Sequence, residues 1–285
     1  MSAKEETELN ANGVAVTILA DNRAAYGLEA EHGLSLWIET AGHKILFDTG
    51  RGEAMLHNAE TLGIDLGQAD SIVLSHGHYD HTGNVAQALS RARRARLYLH
   101  QDALLSRFSI HDMPKQIGMS EAAQEAVRAL SHLRRIWVSL PTELSESVML
   151  TGPVPRLSEY EDTGGPFFLD EAGKHTDVIA DDLSFWVRTR AGLVVCLGCC
   201  HAGIINTLRY AVEISGEPRI LAVIGGMHLS HTSPDRLDRT VEALKAYGVS
   251  YLCPCHCTGE SAMSELRQRL GTSVQPGFAG MKISF

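Results

Sequence analysis

The sequence predicts a mixed α/β fold in one domain. Short apolar, β-branched segments alternate with segments of helical spacing along the 285 residues. Several predicted strands run directly into a histidine, as expected where strand ends gather at one functional edge of a sheet. No charged or low-complexity linker divides the chain. We therefore expect a single domain at residues 13–285, preceded by a flexible N-terminal segment at residues 1–12.

The first half of the chain predicts strands and helices in close succession. The expected strands are residues 14–20, 34–39, 44–47, 71–75 and 96–100. The expected helices are residues 54–62, which stop at Gly63, and residues 85–94. The strand at residues 71–75 is short and wholly apolar apart from its serines, and it leads straight into a cluster of histidines.

The second half is interrupted by one long loop. We expect a helix at residues 119–133 and strands at residues 136–140 and 148–150. Residues 152–173 are rich in proline and glycine, and so long a loop in a compact domain is usually functional. Further strands are expected at residues 183–189, 193–197, 220–224 and 249–253, and helices at residues 204–214 and 234–247. Ser233 or Thr232 is the expected cap of the last helix.

Composition excludes some classes of function. The net charge of −9 and the absence of a clustered basic surface argue against a nucleic-acid partner. No apolar stretch approaches the ~20 residues that span a bilayer, and no secretory signal is apparent. We expect a cytoplasmic protein with a small-molecule substrate and no membrane partner, and we leave a homo-oligomer open. The six cysteines are expected to be thiols.

The run His76-Gly77-His78-Tyr79-Asp80-His81 predicts a metal centre. Imidazole and carboxylate groups are good ligands for zinc and similar ions. In extended backbone the side chains of His76 and His78 point the same way, so both can bind one ion. Asp80 and His81 follow where the chain turns towards a helix, which suits a second ion ~3.5–4 Å from the first.

One such run does not complete two coordination spheres, so later residues must contribute. His201 and His256 follow predicted strands and are the expected further ligands. His228 is in a similar place, and it is either a ligand or a residue that contacts the substrate. Cys255 and Cys257 flank His256 and are expected to pack away from it. A thiol ligand or a redox-sensitive site is the alternative for these two cysteines.

The run resembles the His-X-His-X-Asp-His signature of the metallo-β-lactamase fold superfamily. That resemblance implies an αββα four-layer sandwich, with two mixed β-sheets flanked by helices. It also implies that Asp48, in Phe47-Asp48-Thr49-Gly50, supports the metal-binding loop without binding metal itself.

Further segments are similar to one branch of the superfamily. This branch includes the archaeal dihydropterin ribofuranosylaminobenzene phosphate synthase and many bacterial metal-dependent hydrolases. The matching segments are Asp21-Asn22, residues 31–35, residues 150–156, residues 198–206, residues 225–229 and residues 256–259.

The chain departs from the branch pattern at two places. Cys200 replaces the usual serine before His201, and Gly83-Asn84 replaces a common Gly-Gly. The wider superfamily also has a mid-chain histidine ligand and an aspartate that bridges two ions. His201 falls near the position expected for that aspartate. The candidates for the mid-chain ligand are His175, Asp177, Asp181 and Asp182.

The expected cofactors are two divalent metal ions, with zinc favoured and iron or manganese as alternatives. The expected reaction is attack by a metal-activated water on a small ester, phosphoester or lactone. Asp80 would orient the nucleophile and His228 would protonate the leaving group. Arg156, His32 and Asn22 are the expected substrate-binding residues, since a guanidinium suits a phosphate or carboxylate.

Three other functions remain open at this stage. The first is a synthase like the pterin enzyme, which would join a pterin phosphate to an aromatic amine. The second is a non-catalytic metal-binding or redox module on the same fold. The third is a mononuclear iron enzyme, such as a persulfide dioxygenase, in which His81 and His256 would be dispensable for metal.

Overall fold

The computed structural model of the protein describes residues 13–285, so the segment expected to be flexible, residues 1–12, lies outside the described residues. The strands, in chain order, are β1 (Val14–Ala20), β2 (Ser35–Thr40), β3 (His43–Phe47), β4 (Ser71–Val73), β5 (Arg96–Leu99), β6 (Phe108–Ile110), β7 (Pro114–Gln116), β8 (Arg135–Trp137), β9 (Thr142–Ser145), β10 (Val148–Leu150), β11 (Phe167–Phe168), β12 (Ser184–Thr189), β13 (Gly192–Leu197), β14 (Ile220–Gly226), β15 (Tyr251–Cys255) and β16 (Lys282–Ser284). The α-helices are α1 (Ala54–Thr61), α2 (Tyr79–Thr82), α3 (Val85–Arg91), α4 (Glu121–Ala129), α5 (Ile204–Ser215), α6 (Pro234–Tyr247) and α7 (Glu260–Leu270).

Two mixed sheets form the centre of the fold. The first has the strand order β16-β1-β2-β3-β4-β5-β8, and the second has the order β15-β14-β13-β12-β10-β9. Strands β3, β4, β5 and β8 are parallel neighbours in the first sheet, and β13, β14 and β15 are parallel neighbours in the second. A small third sheet, β11-β6-β7, lies at the mouth of the cavity described below.

Three hydrophobic clusters separate four layers. The cluster between the two sheets includes Phe47 and Phe185, whose rings meet edge to face with centroids 5.0 Å apart. A second cluster packs α1, α3 and α4 on the outer face of the first sheet, and a third packs α5, α6 and α7 on the outer face of the second. The predicted αββα sandwich is therefore confirmed. None of the helices within residues 13–285 combines the length and apolarity needed to cross a bilayer.

Most predicted elements form within a few residues of their expected bounds, and the differences have local causes. The helix expected at residues 119–133 forms only as α4, because the Ser120 side chain accepts a hydrogen bond from Ala123 N and starts the helix there. The cap of α6 is Ser233, whose hydroxyl accepts a hydrogen bond from Arg236 N. The hairpin β6–β7 was not predicted, since it is partly or fully exposed and begins its second strand at Pro114.

The parallel strands of both sheets end at the same edge of the sandwich. The loops there contain four non-glycine residues with left-handed backbone, namely Asp48 (φ 59°), Cys200 (φ 60°), His228 (φ 46°) and His256 (φ 50°). Such conformations cost on the order of 1–3 kcal/mol each and persist only where surrounding contacts enforce them. At this edge of the sandwich, strained backbone at four residues therefore holds particular side chains in defined orientations.

Candidate metal centre

Three histidines form what we call the first trio, His76, His78 and His201. The run after β4 brings His76 Nε2 within 2.9 Å of His78 Nδ1. His201, at the end of the loop after β13, completes the set, and the three donor atoms all lie within 4.8 Å of one another. The three side chains are buried. The two sheets thus each contribute to a single cluster of nitrogen donors.

The orientation of His201 leaves one nitrogen free for a cation. Its Nδ1 lies 2.8 Å from the carbonyl oxygen of Thr163, so Nδ1 carries the proton and donates. The buried Nε2 therefore presents its lone pair, and it finds no hydrogen-bond partner among residues 13–285. A buried lone pair without a donor is costly, and a bound metal ion would satisfy it.

The second trio consists of Asp80, His81 and His256. His81 Nε2 lies 3.2 Å from His256 Nε2, and Asp80 Oδ2 lies 3.4 Å from His256 Nε2 and 3.9 Å from His81 Nε2. Ligand atoms about 2.0–2.2 Å from a tetrahedral ion stand about 3.4 Å from each other. The spacing of the second trio is therefore that of ligands around one ion.

Hydrogen bonds behind both trios determine which nitrogen faces inward. Asp48 Oδ2 accepts hydrogen bonds from His81 Nδ1 over 2.6 Å and from Ser75 Oγ over 2.7 Å. Ser75 Oγ in turn accepts from His76 Nδ1 over 2.8 Å. Because Nδ1 is the donor in both histidines, each points an Nε2 lone pair towards the centre. Asp48 thus lies behind the donor atoms of both trios and contacts them through Nδ1 of His81 and through Ser75.

His256 is oriented from the other side of the fold. Its Nδ1 lies 3.1 Å from Asn22 Oδ1, and Asn22 Nδ2 donates to the His256 carbonyl oxygen. Its backbone N–H donates to Asp21 Oδ1 over 2.7 Å, which stabilises the left-handed conformation of the residue. Asn22 was expected to bind substrate. It lines the cavity, but its amide is also the group that orients His256.

Burial and nearby charge set the protonation of the trios. Burial lowers the pKa of His76, His78 and His201 well below the usual value, so all three imidazoles are neutral. Burial would raise the pKa of Asp80, but the neighbouring imidazoles of His81 and His256 hold it well below its ordinary range. Neutral imidazoles and an ionised carboxylate are the protonation states that bind metal.

His81 differs from the other histidines. Burial lowers its pKa, but the carboxylates of Asp48 and Asp80 outweigh that effect and raise the pKa above its usual value. Because Nδ1 donates to Asp48, the added proton would sit on Nε2, which faces Asp80 and His256, and a divalent cation there would displace it. The donor sets of both trios therefore fit the two ions that the sequence predicts.

One open cavity of about 1090 Å³ leads to both trios. Its floor exposes His78, Asp80 and His256, and its wall includes His32 and His228. His32 Nε2 lies 3.3 Å from Asp80 Oδ2. The His228 ring is tilted against that of His201, with centroids 4.3 Å apart, and its buried Nδ1 has no partner among the described residues. Both were expected near the substrate, and both face this cavity.

The long loop predicted to be functional covers one side of the cavity. Residues 162–167 line it, and Gly164 lies so close to His228 that an added Cβ would stand 1.9 Å from His228 Cδ2. Glu161 anchors the loop by accepting hydrogen bonds from the first free backbone N–H groups of α5. The loop therefore combines a structural task, holding His201 through Thr163, with shaping the cavity wall.

Arg156, which was expected to bind substrate, is not among the residues that line this cavity. Its guanidinium donates hydrogen bonds to the carbonyl oxygens of His201, Val178 and Ile179. These bonds join the loop after β13 to the segment before β12. The positive charge is thus used to hold the backbone of His201 in place.

The four candidates for a mid-chain ligand do not belong to either trio. Asp177 and Asp181 pair with the buried Arg107, and Asp181 Oδ2 accepts a hydrogen bond from Gly77 N over 2.8 Å. Asp182 accepts from Ala202 N, and His175 is exposed beside Asp170. His201 instead completes the first trio, and none of these four candidates joins it.

Cys199 is a site residue that sequence reasoning missed. Its thiol lies 3.1 Å from His81 Nε2 and is close to donor atoms of both trios. A signal was its position in the loop after β13, two residues before the predicted ligand His201. Burial raises the pKa of the Cys199 thiol well above its usual value.

The two cysteines around His256 differ from each other. Cys255 packs in the core between the sheets, as expected. Cys257 lines the cavity instead, and its sulfur accepts a hydrogen bond from His228 N over 3.3 Å. The left-handed backbone of His256 breaks the extended geometry on which the expectation for Cys257 was based.

Comparison with known proteins agrees with this geometry. A family model described as the metallo-beta-lactamase superfamily matches residues 28–256. A relative in Methanocaldococcus jannaschii, 7,8-dihydropterin-6-methyl-4-(beta-D-ribofuranosyl)-aminobenzene-5'-phosphate synthase, is 28% identical over 96% of this chain and 97% of its own length. An uncharacterized protein of the same organism is 32% identical over 89% of this chain and 94% of its own length.

A solved structure is similar over almost the whole chain. The crystal structure of Tm1679, a metal-dependent hydrolase of the beta-lactamase superfamily, has a TM-score of 0.80 and 32% identity, covering 95% of this chain and 98% of that one. The chain belongs to the metallo-beta-lactamase superfamily.

Proposed function

We propose that this protein is a metal-dependent hydrolase that acts on a small ester, phosphoester or lactone at a dinuclear centre. The observation that carries the proposal is that two trios of donors lie beside one cavity, which His78 of the first trio and Asp80 and His256 of the second line. A single structural metal would need one closed set of about four ligands. Two incomplete sets beneath an open cavity are typical of a reaction centre.

Two divalent ions held by the trios would polarise the bond under attack and lower the pKa of a bound water to about 7. Asp80 lies at the cavity floor, with Oδ2 3.3 Å from His32 Nε2 and 3.4 Å from His256 Nε2, and it would orient the nucleophile. His228 lines the cavity wall beside Gly164 of the long loop and would donate a proton to the leaving group.

The charge balance favours an anionic substrate. Asp80 is the only carboxylate in the two trios, so the centre with two divalent ions bound is net positive. Lys115, on β7, reaches the same cavity and contacts the Tyr79 hydroxyl over 3.4 Å. A phosphoester would place its charge on the ions and its organic group against Phe167 and Tyr79.

Turnover by metal-loaded protein tests the proposal. The substrates are an aryl phosphodiester, an aryl phosphomonoester, an aryl acetate and an acyl lactone. We expect turnover of at least one, lost in His76→Ala and Asp80→Asn and retained in His111→Ala, which alters the cavity rim without touching either trio. Two bound ions per chain with no turnover of any of the four would instead favour a non-catalytic metal-binding module.

A synthase activity is the second candidate, because the pterin relative matches along almost its whole length. The same centre would then activate a phosphorylated dihydropterin for attack by an aromatic amine: a C–N bond would form, the C–O bond to the phosphate group would break, and phosphate and the amine proton would leave. The test is incubation of the metal-loaded protein with both compounds and detection of the joined product by mass spectrometry. Product formation that exceeds hydrolysis of the pterin phosphate would favour the synthase.

A further inference from the structure

We propose that the Cys199 thiolate is a ligand shared by the two metal ions and bridges them. The inference rests on the proposed dinuclear centre and adds a sulfur ligand to it. It would make this centre one that prefers zinc to manganese or magnesium, because thiolates are soft ligands.

The position of the sulfur between the trios is the first argument. Cys199 Sγ lies within 4.8 Å of the donor atoms of His76 and His81, which belong to different trios. It also lies within 4.8 Å of the donor atoms of His201 and His228 on one side, and of His256 and Cys257 on the other. No carboxylate among the described residues occupies this central position, so the group between the two sets of donors is a sulfur atom.

The hydrogen bonds of His81 supply the second argument. Because His81 Nδ1 donates to Asp48, the Nε2 atom directs a lone pair towards Cys199 Sγ, 3.1 Å away, and towards His256 Nε2, 3.2 Å away. The Asn22 amide likewise leaves His256 with its lone pair on Nε2. Two nitrogen lone pairs and a sulfur thus converge on one point, which is the arrangement of ligands around a cation.

The backbone gives the third argument. Cys200 lies between Cys199 and His201. It adopts a left-handed backbone conformation although it is not a glycine. Its own thiol points to the outer cluster, 3.3 Å from Thr207 Oγ1. The turn therefore presents Cys199 and His201 to the centre and removes Cys200 from it. Cys200 is consequently a matched control for Cys199.

Cys257 is the competing sulfur, and its contacts are different. Its Sγ accepts the backbone N–H of His228 and lies 3.6 Å from the carbonyl oxygen of Cys199. These partners are backbone groups at the cavity wall, whereas the close contact of Cys199 is an imidazole nitrogen of the second trio. Cys199 is thus the sulfur that the geometry favours.

The chemical step is metal binding with release of a proton. The S–H bond of Cys199 breaks, bonds form from the sulfur to the two ions, and the proton passes to solvent through the open cavity. No electron transfer is involved. A neutral S–H···N hydrogen bond to His81 is the rival description, and it predicts no metal–sulfur bond.

Cobalt substitution tests the inference directly. Apoprotein reconstituted with Co²⁺ is examined for the near-ultraviolet thiolate-to-cobalt charge-transfer band, and cobalt per chain is measured by elemental analysis. The zinc form is examined by X-ray absorption for sulfur scattering at about 2.3 Å. The variants are Cys199→Ser, Cys199→Asp, Cys200→Ser and Cys257→Ser.

We expect the band and the sulfur scattering in the native protein, in Cys200→Ser and in Cys257→Ser, and loss of both in the two Cys199 variants. Cys199→Asp should keep two ions per chain because a carboxylate can also bridge, which excludes misfolding as the cause. Two cobalt ions without the band, or a band that survives Cys199→Ser, would overturn the inference and leave the hydrolase proposal standing. A native protein that binds no metal would overturn both.

Discussion

Asp48 and His81 form a fully buried pair in which Oδ2 of Asp48 accepts a hydrogen bond from Nδ1 of His81 over 2.6 Å. The same oxygen accepts from Ser75, which in turn accepts from His76. One carboxylate therefore orients a histidine in each trio. It links the end of β3 to the loop after β4, which are adjacent because those strands are parallel neighbours.

Replacing this carboxylate should weaken metal binding at both sites. We expect Asp48→Asn to lower zinc affinity by about 10–100-fold, because an amide no longer holds Nδ1 of His81 as a donor. Competition with a chromophoric chelator measures the affinity. Asp170→Asn is the control, since Asp170 pairs with His175 at the surface. Unchanged affinity in Asp48→Asn would show that the pair is structural only.

His228 should matter more for turnover than for metal content. We expect His228→Ala to reduce kcat by about 10²–10⁴-fold, the usual contribution of a positioned acid or base, while both ions stay bound. His231→Ala, which alters the same cavity without contacting His201, should have a much smaller effect. Parallel loss of metal and activity in His228→Ala would instead identify a ligand.

The buried ion pair beneath the metal loop should contribute strongly to stability. Asp181→Ala leaves Arg107 without its closest partner and frees Gly77 N, and we expect unfolding free energy to fall by about 3–5 kcal/mol. Urea denaturation measures the loss. Asp235→Ala, which breaks an exposed pair with Arg239, should cost less than about 1 kcal/mol.

Metal removal should lower thermal stability without unfolding the protein. The trios bring inward-facing donor atoms together, and the ions we propose would stabilise that arrangement. At free zinc 100 times the dissociation constant, binding adds about 2.7 kcal/mol to the unfolding free energy. We expect a strong chelator to lower the melting temperature and added zinc to restore it. An equal melting temperature with and without chelator would contradict metal binding to the folded state.

The secondary structure was largely predictable because its signals are local. Val14–Ala20, Val148–Leu150 and Pro234–Tyr247 form with the bounds that apolar pattern, β-branching and capping indicate. The hairpin β6–β7 and the edge strand β16 were missed, since short strands of this kind depend on their neighbours more than on their own residues. Helix α7 was also not predicted.

The residues of the candidate site also fall into those that local sequence signals predict and those that depend on long-range packing. The sequence by itself determined that His76, His78, Asp80 and His81 act together, because a few consecutive residues after a buried strand cannot separate. It also determined that Asp48, His201 and His256 lie near them, through the resemblance to a family and their place at strand ends.

Only the tertiary structure decided how the distant residues divide between the trios. His201 joins His76 and His78 because a left-handed residue and the Thr163 carbonyl turn it inward. Arg156 donates a hydrogen bond to the His201 backbone, and Asp181 accepts one from the backbone of Gly77. The sequence did not reveal these contacts, because each joins segments that are far apart along the chain. The central place of Cys199 likewise depends on two sheets meeting across the core. Local pattern selects the elements, whereas long-range packing aims the side chains, and the metal centre depends on both.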